Sequence, residues 1–357
     1  MKNDLLSFTR VFILFLRLKL LNLTSGLPPF PGGVLDEQTA VMNRGQMLLG
    51  ETPLDQISPA QTRLNIRKGF SLLKIIGGNF EKVGSVRKLA IRGPAGEIPA
   101  RLYLPGRGTS YALFVFLHGG GWVIGDLDTA DNMARFLCRH VNCVVLSVEY
   151  HLALEHIFPG AVDGFFAAVQ WAMAHAGELG CDPKRVPVGG DSAGGNLTAV
   201  VAQMARQDGD SMPRAGTGTT SLAEQVLLYP STNAATLDTP SYKDFGYQFL
   251  GLPRREVDWY LEQYTPNPKN RLNPQVSPLL ADDLRGLPPA LVVTAEFDVL
   301  RDEGEAHARR MQEAGVKVQL MCCNDMVHVI FGMLGLIKRA SQNFERVAAE
   351  IRKIAAA

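Results

Sequence analysis

Cysteine is scarce in this 357-residue chain. The five thiols, Cys138, Cys143, Cys181, Cys322 and Cys323, are odd in number and follow no metal-ligand spacing. That excludes a disulfide scaffold and a cysteine zinc site, and the residues read as reduced thiols of an intracellular protein. The adjacent Cys322 and Cys323 read as ordinary strand residues. Net charge is nearly absent too: 36 Lys and Arg against 35 Asp and Glu leave +1 at pH 7. Electrostatics alone therefore recruit neither nucleic acid nor a charged membrane. No internal repeat occurs, which removes solenoids and propellers. There is no Walker run, and no G-x-G-x-x-G follows a strand, so no nucleotide cofactor is expected. His151, Glu155 and His156 are spaced H-x-x-x-E-H. That matches neither H-E-x-x-H nor H-x-x-E-H, so a loop is the simpler reading and no metal is expected.

Long uncharged apolar runs are missing as well. The nearest, residues 8–23, is broken by Arg10, Arg17 and Lys19, which makes it too charged and too short to span a bilayer. It also lacks a clean small-x-small cleavage site. Residues 1–33 therefore read as an apolar, basic extension with three open explanations. It is an amphipathic helix lying on a membrane, one lying on the protein itself, or a start assigned upstream of the real domain. A cytoplasmic location is expected, with membrane association or export left open by this extension.

What is present is a large apolar core: 46% of residues are hydrophobic and 20% charged. One large α/β domain with an accessory part fits this length as well as two domains do. After a Pro/Gly-rich break at 27–33, residues 35–80 show apolar positions at mixed three- and four-residue spacing, with Ser58-Pro59 a helix start. Two partly alternating runs, "VRKLAIR" and "IPARLYL", flank a "GPAGE" turn as antiparallel edge strands do. The pattern then becomes strand–helix–strand. Continuous apolar runs at 111–117, 143–149, 185–189, 224–229, 290–295 and 316–321 suit strands covered on both faces of a parallel sheet. Helical stretches near 128–140, 160–176, 193–207 and 302–314 separate most of them, and a last one covers about 333–355. That alternation predicts a doubly wound α/β sheet. Residues 231–289 interrupt it, and an insertion of that length is usually functional, such as a lid.

"VPVGGDSAGGNL" sets Ser192 in G-x-S-x-G, after a strand and before an apolar helix. Such a bend lifts a hydroxyl above the sheet at a helix N-terminus, where free N–H groups favour a developing anion. The motif alone is weak, and a serine in a tight structural turn is the plain alternative. Pro187 inside the strand is a blemish, since proline cannot donate to a ladder. "FLHGGGW" follows an earlier strand, and three glycines there expose backbone N–H groups as an oxyanion hole requires. The two motifs in this order are far more specific than either alone. His118 reads as a loop brace, because the base must come later in such a topology. A serine nucleophile needs a base, and the base needs a carboxylate. Asp298 lies just past a strand end, with Glu296 and Asp302 as competitors. Asp302 is better suited to capping the next helix, with Glu305 completing a capping box. His328 lies in a loop after the following strand. His307 looks helical and the remaining histidines precede Ser192, so His328 is the base by elimination.

These residues resemble the hormone-sensitive-lipase-like esterases of the α/β-hydrolase superfamily. The resemblance runs from about Leu35 to the C-terminus. It rests on "HGGGW", "GDSAGG", "SPLLADDLRGLPPALVVTAEFDVLRDEGEAHA" and the histidine loop. "EYHLALEHIFPGAVDG" is similar to the family's Y-R-L-A-P-E-x-x-F-P segment, with His151 and Leu154 replacing Arg and Pro. The resemblance implies a mostly parallel sheet of about eight strands, helices on both faces and a helical cap. It places cap helices at 34–84 and a cap insertion at about 231–275 within a catalytic domain of 85–357. It implies oxyanion N–H groups at Gly120, Gly121 and Ala193, an ester substrate, no cofactor, and a homodimer through the last strand and helix. Val329 stands where the family has a glycine after the base, and a larger residue there shifts the loop or narrows the acyl pocket. Trp122, Phe245, Tyr247, Phe249 and Trp259 have two readings, lining of an apolar pocket or cap core. The function expected is hydrolysis of short- to medium-chain carboxylic esters. A serine amidase or peptidase with the same triad, and a non-catalytic small-molecule receptor on the same fold, are the alternatives.

Overall fold

The computed structural model describes residues 33–49, 54–76, 81–106, 110–207, 222–247 and 251–356. Residues 1–32, with the apolar stretch 8–23, and Phe249 lie outside the described residues. Among the described residues, no helix is long and apolar enough to cross a membrane.

Eight strands form one sheet among the described residues: β1 (Ser85–Gly93), β2 (Gly96–Leu104), β3 (Leu113–Leu117), β4 (Val144–Val148), β5 (Val188–Asp191), β6 (Gln225–Leu228), β7 (Ala290–Phe297) and β8 (Val318–Val327). Their order is β1-β2-β4-β3-β5-β6-β7-β8. The β1–β2 hairpin and the β2–β4 pair are antiparallel; every later pairing is parallel. Strands β3 to β6 are buried along their whole length, which is why they read as unbroken apolar runs rather than alternating ones. The expected doubly wound α/β sheet is present. Cys322 and Cys323 lie on β8, as ordinary strand residues.

The helices are α1 (Glu37–Leu49), α2 (Pro59–Ile76), α3 (Asp131–Leu137), α4 (Gly160–His175), α5 (Ala193–Gln207), α6 (Pro240–Phe245), α7 (Arg254–Tyr264), α8 (Arg301–Glu313) and α9 (Lys338–Ala356). Successive residues of β6 and β7 fall into two separate apolar clusters. Leu227 and Val292 pack in one with Ala199 of α5 and with Ala308 and Met311 of α8. Leu228 and Val293 belong to the other, which holds Phe344 and Val347 of α9. The period-two alternation of a strand thus divides helices between the two faces.

Three local readings are corrected. The strand read at 185–189 begins instead at Val188, so Pro187 stands outside the ladder and offers only its carbonyl, to Val115 N–H at 3.0 Å. The last helix does not run unbroken from 333. Gly335, with φ +84°, interrupts it after a short turn at Ile330–Met333, and α9 starts at Lys338. Asp302 does not cap α8, because that helix begins one residue earlier. Its carboxylate accepts from Ser241 N–H at 2.8 Å, while Glu305 faces the Thr294 hydroxyl at 3.5 Å.

Candidate active site

Four strand ends converge. Gly119–Gly121 follow β3, Ser192 follows β5, Asp298 follows β7 and His328 follows β8. These are the C-terminal ends of parallel strands, where open α/β sheets build their sites. Ser192 has φ +53°, a left-handed conformation that costs a non-glycine residue energy. The bend needs a bare neighbour: a Cβ on Gly190 would lie 2.5 Å from the Gly194 carbonyl carbon.

Ser192 Oγ lies 3.0 Å from His328 Nε2, and His328 Nδ1 lies 2.7 Å from Asp298 Oδ2. A carboxylate oxygen only accepts here, so Nδ1 donates and Nε2 is left to accept from the hydroxyl. All three side chains are buried, at 8%, 4% and 1% exposure for Ser192, His328 and Asp298. The competitors are engaged elsewhere. Glu296 accepts from Asp325 N–H at 2.8 Å, and Asp302 binds Ser241 and Arg301. Val329 has φ +60° and lines the cavity, yet His328 beside it keeps both partners. The substitution has not carried the loop away.

The glycine loop is fixed through its carbonyls. His118 is buried, stacks on Tyr150 at 4.6 Å, and its Nδ1 donates to Gly119 O at 2.7 Å. Burial holds its pKa below the ordinary value, so it is a neutral brace, as expected. Gly120 O accepts from Val123 N–H and Ile124 N–H at 3.0 and 2.9 Å. Each carbonyl shares a rigid trans plane with the next N–H, which must then point the opposite way. The N–H groups of Gly120 and Gly121 donate to no protein acceptor among the described residues. Ala193 N–H opens α5, and its plane is held by Ser192 O accepting from Asn196 N–H at 3.0 Å.

Two buried carboxyls that sequence reasoning passed over support this frame. Asp191 accepts from Gly119 N–H at 2.7 Å, and burial pushes its carboxyl up to about 6. Glu303, on α8, accepts from Thr232 N–H and Asn233 N–H at 2.7 and 3.2 Å, steadying the segment beside Ser192. Burial pushes Glu303 up to about 8, against an ordinary value of 4.5 and despite those N–H bonds. The folded state therefore holds this proton more tightly than the unfolded chain. The resulting stability is complete below about pH 4.5 and is lost as pH rises through about 8. Glu303→Gln keeps an acceptor and removes the titration. Between about pH 5 and pH 8, urea unfolding of the wild type is expected to lose more than about 1 kcal/mol relative to this variant. Parallel stability curves would mean that the buried carboxyl is ionised throughout.

Over these groups lies a cavity of about 300 Å³. Ile66 and Phe70 of α2, and Leu252, Val257 and Tyr260 from the insertion, line it with Trp122. Of the five aromatics with two readings, Trp122 lines the cavity and stacks on Tyr264 at 4.6 Å. Phe245 does not: it packs edge-on against Phe297 at 5.6 Å with Arg301 over its ring, so it is core. Tyr247 is 84% exposed. Trp259 is buried edge-on against Tyr260, and it is Tyr260 that reaches the cavity.

A serine–imidazole–carboxylate chain over the strand ends of this sheet, beside a loop of free N–H groups, defines a class: the α/β-hydrolase fold with a serine-centred site. A family model described as the alpha/beta hydrolase fold matches residues 114–332. The chain belongs to that family, within its hormone-sensitive-lipase-like esterase group. It is 48% identical over 255 residues to the carboxylic ester hydrolase LipN of Mycobacterium tuberculosis, covering 71% of this chain and 65% of LipN. It is 38% identical over 254 residues to an arylesterase of Saccharolobus solfataricus, covering 71% and 79%. Among solved structures, the thermostable carboxylesterase EstE1 from a metagenomic library superposes with a TM-score of 0.79 at 37% identity, covering 85% of this chain and 99% of EstE1. A thermostable esterase of Pseudomonas putida gives 0.80 at 35% identity, covering 93% and 97%.

Proposed function

We propose that this chain, a carboxylic ester hydrolase of the α/β-hydrolase fold, cleaves short- to medium-chain esters with Ser192 as nucleophile, His328 as base and Asp298 as its orienting acid. The observation that carries this reading is the pair of buried hydrogen bonds, 3.0 and 2.7 Å, joining the three side chains. Ser192 Oγ attacks the ester carbonyl carbon and its proton passes to His328 Nε2. Charge moves onto the carbonyl oxygen, where N–H groups of Gly120, Gly121 and Ala193 receive it; one such donor typically supplies about 3–4 kcal/mol. The imidazolium, paired with Asp298, protonates the departing alkoxide. Water then enters by the same route in reverse and releases the acid.

A cavity of about 300 Å³ favours compact acyl groups. Across a graded series of p-nitrophenyl esters, kcat/KM is expected to peak at short or medium chains and drop at least about tenfold by long ones, the cost of a few unaccommodated methylenes. An optimum on long-chain triglycerides contradicts the chain-length reading. Faster turnover of the matching anilide than of the ester makes the protein an amidase instead. Absence of Ser192-dependent labelling by a fluorophosphonate probe moves it to a non-catalytic receptor.

A further inference from the structure

Helix α2 covers the cavity with Ile66 and Phe70, and one turn back on the same helix Arg63 reaches down to the catalytic domain. Its guanidinium makes four hydrogen bonds. Nε donates to Val123 O at 2.7 Å and Nη2 to Ala153 O; Nη1 and Nη2 each meet a Glu155 oxygen at 2.8 Å. Val123 and Ala153 are themselves joined to the oxyanion loop. Val123 N–H donates to Gly120 O, and Ala153 N–H donates to Trp122 O at 2.9 Å. Arg67, one turn on, pairs with Asp126 further down the same loop, and Asp126 in turn accepts from Asp128 and Thr129 N–H.

We propose that Arg63 is a positioning residue for the oxyanion loop, coupling the seating of the covering helix to the aim of the Gly121 N–H. The inference rests on the catalytic reading above. Its path is short. Arg63 fixes the Val123 carbonyl, the Val123–Ile124 amides fix the Gly120 carbonyl, and that carbonyl's peptide plane sets the direction of Gly121 N–H. The Glu155 ion pair is not the main element. Glu155 is 60% exposed, and exposed pairs contribute little. Its carboxyl, drawn down to about 2 by the Arg63 hydrogen bonds, orients the fork so that the other edge meets two backbone carbonyls. A planar guanidinium spans all three acceptors at once; an ammonium on a flexible stem does not.

A helix tether and an aiming device predict different kinetics. If Arg63 only held α2 down, its loss would loosen the pocket and raise KM. If it aims the loop, its loss lowers kcat and weakens a trifluoromethyl ketone, whose adduct with the serine carries the oxyanion. Assays on p-nitrophenyl acetate, well below each variant's melting temperature, separate the two. Deleting an oxyanion donor costs about 10²–10³ in kcat; misaiming one through Arg63→Ala is expected to cost about tenfold, in kcat and ketone affinity alike, with KM within about threefold. Arg63→Lys is expected to restore less than half of the loss, and it carries the test if the alanine variant fails to fold. Glu155→Gln, which leaves both carbonyl bonds, is expected to stay within about twofold. Unchanged kcat and ketone affinity in Arg63→Ala, or full rescue by lysine, overturns the proposal. Amide hydrogen exchange at Val123 and Ile124 tests it without turnover. Protection lost in Arg63→Ala but kept in Ser192→Ala supports it even if the wild type cleaves no ester, and protection kept in both overturns it.

Discussion

Ser192→Ala is expected to lower kcat by about 10⁴- to 10⁶-fold, with substrate affinity nearly unchanged. The variant removes the hydroxyl oxygen that lies 3.0 Å from His328 Nε2 and leaves the rest of the pocket lining in place. His328→Ala should cost about as much, and the double variant no more than either, because a nucleophile without its base and a base without its nucleophile fail at the same step. Asp298→Asn is expected to retain the shape of the site and still lose about 10⁴-fold, since an amide can donate to Nδ1 and favour the wrong tautomer. The residual rate, about 10³-fold over water, is the share of the oxyanion N–H groups and of binding. Melting temperatures should move by only a few degrees in Ser192→Ala and Asp298→Asn, which nearly keep the volume of the site, and further in His328→Ala, which leaves the buried Asp298 carboxylate without its partner. Progress curves on p-nitrophenyl acetate, read beside fluorophosphonate labelling, check the set. Ser192→Ala activity above about one per cent of wild type is incompatible with covalent catalysis at this residue.

The sheet was legible because its central strands are covered on both faces. A strand such as Leu113–Leu117, with all five residues buried, has no polar side to disguise its continuous apolar run. The three side chains of the site were legible for a different reason. Each sits one residue past a strand, where turn chemistry leaves glycines, a carboxylate or a histidine exposed in the text of the sequence. The failures concern phase and distance. Trp259 and Tyr260 are neighbours on α7 and both are buried; which one faces the cavity depends on how that helix rolls against the loop below, and no local pattern encodes it. Phe245 was drawn away from the site by Phe297 and Arg301, partners more than fifty residues later. Arg63 meets acceptors 60 and 90 residues away, and on the sequence it is one charge on a solvated helix. On the sequence nothing sets Glu303 apart from the other acidic residues of its helix. Only its burial against the Thr232 and Asn233 amides gives it a role.

Gly121→Ala tests the oxyanion loop where it is most tightly enclosed. Gly121 has φ +56°, and a Cβ built on it would fall inside the Tyr260 ring, against Cγ and Cδ1 and 2.7 Å from Cδ2. Two penalties follow from one methyl group. The left-handed backbone costs an L-residue about 1–2 kcal/mol, and the overlap is too deep for the loop and α7 both to stay where they are. If the loop yields, the N–H groups of Gly120 and Gly121 leave the position where charge develops, and kcat is expected to fall about 10²–10³-fold. If the ring yields, Trp259 and the cavity wall move with it, and KM rises instead. Tyr260 is buried against Trp259 at 5.1 Å, whereas Gly119, Gly120 and Gly121 are only half-buried and carry no side chains, so the loop is the softer partner and the loss should appear in kcat. Removing the ring distinguishes the two penalties. In Gly121→Ala combined with Tyr260→Ala the overlap is gone and the backbone strain remains, so activity should recover part of the way, with a coupling of about 1–3 kcal/mol between the sites. Tyr260→Ala alone opens the cavity and should raise KM while leaving kcat close to wild type. Wild-type kcat in Gly121→Ala would mean that this N–H receives no charge in the transition state, and the donors would then reduce to Gly120 and Ala193.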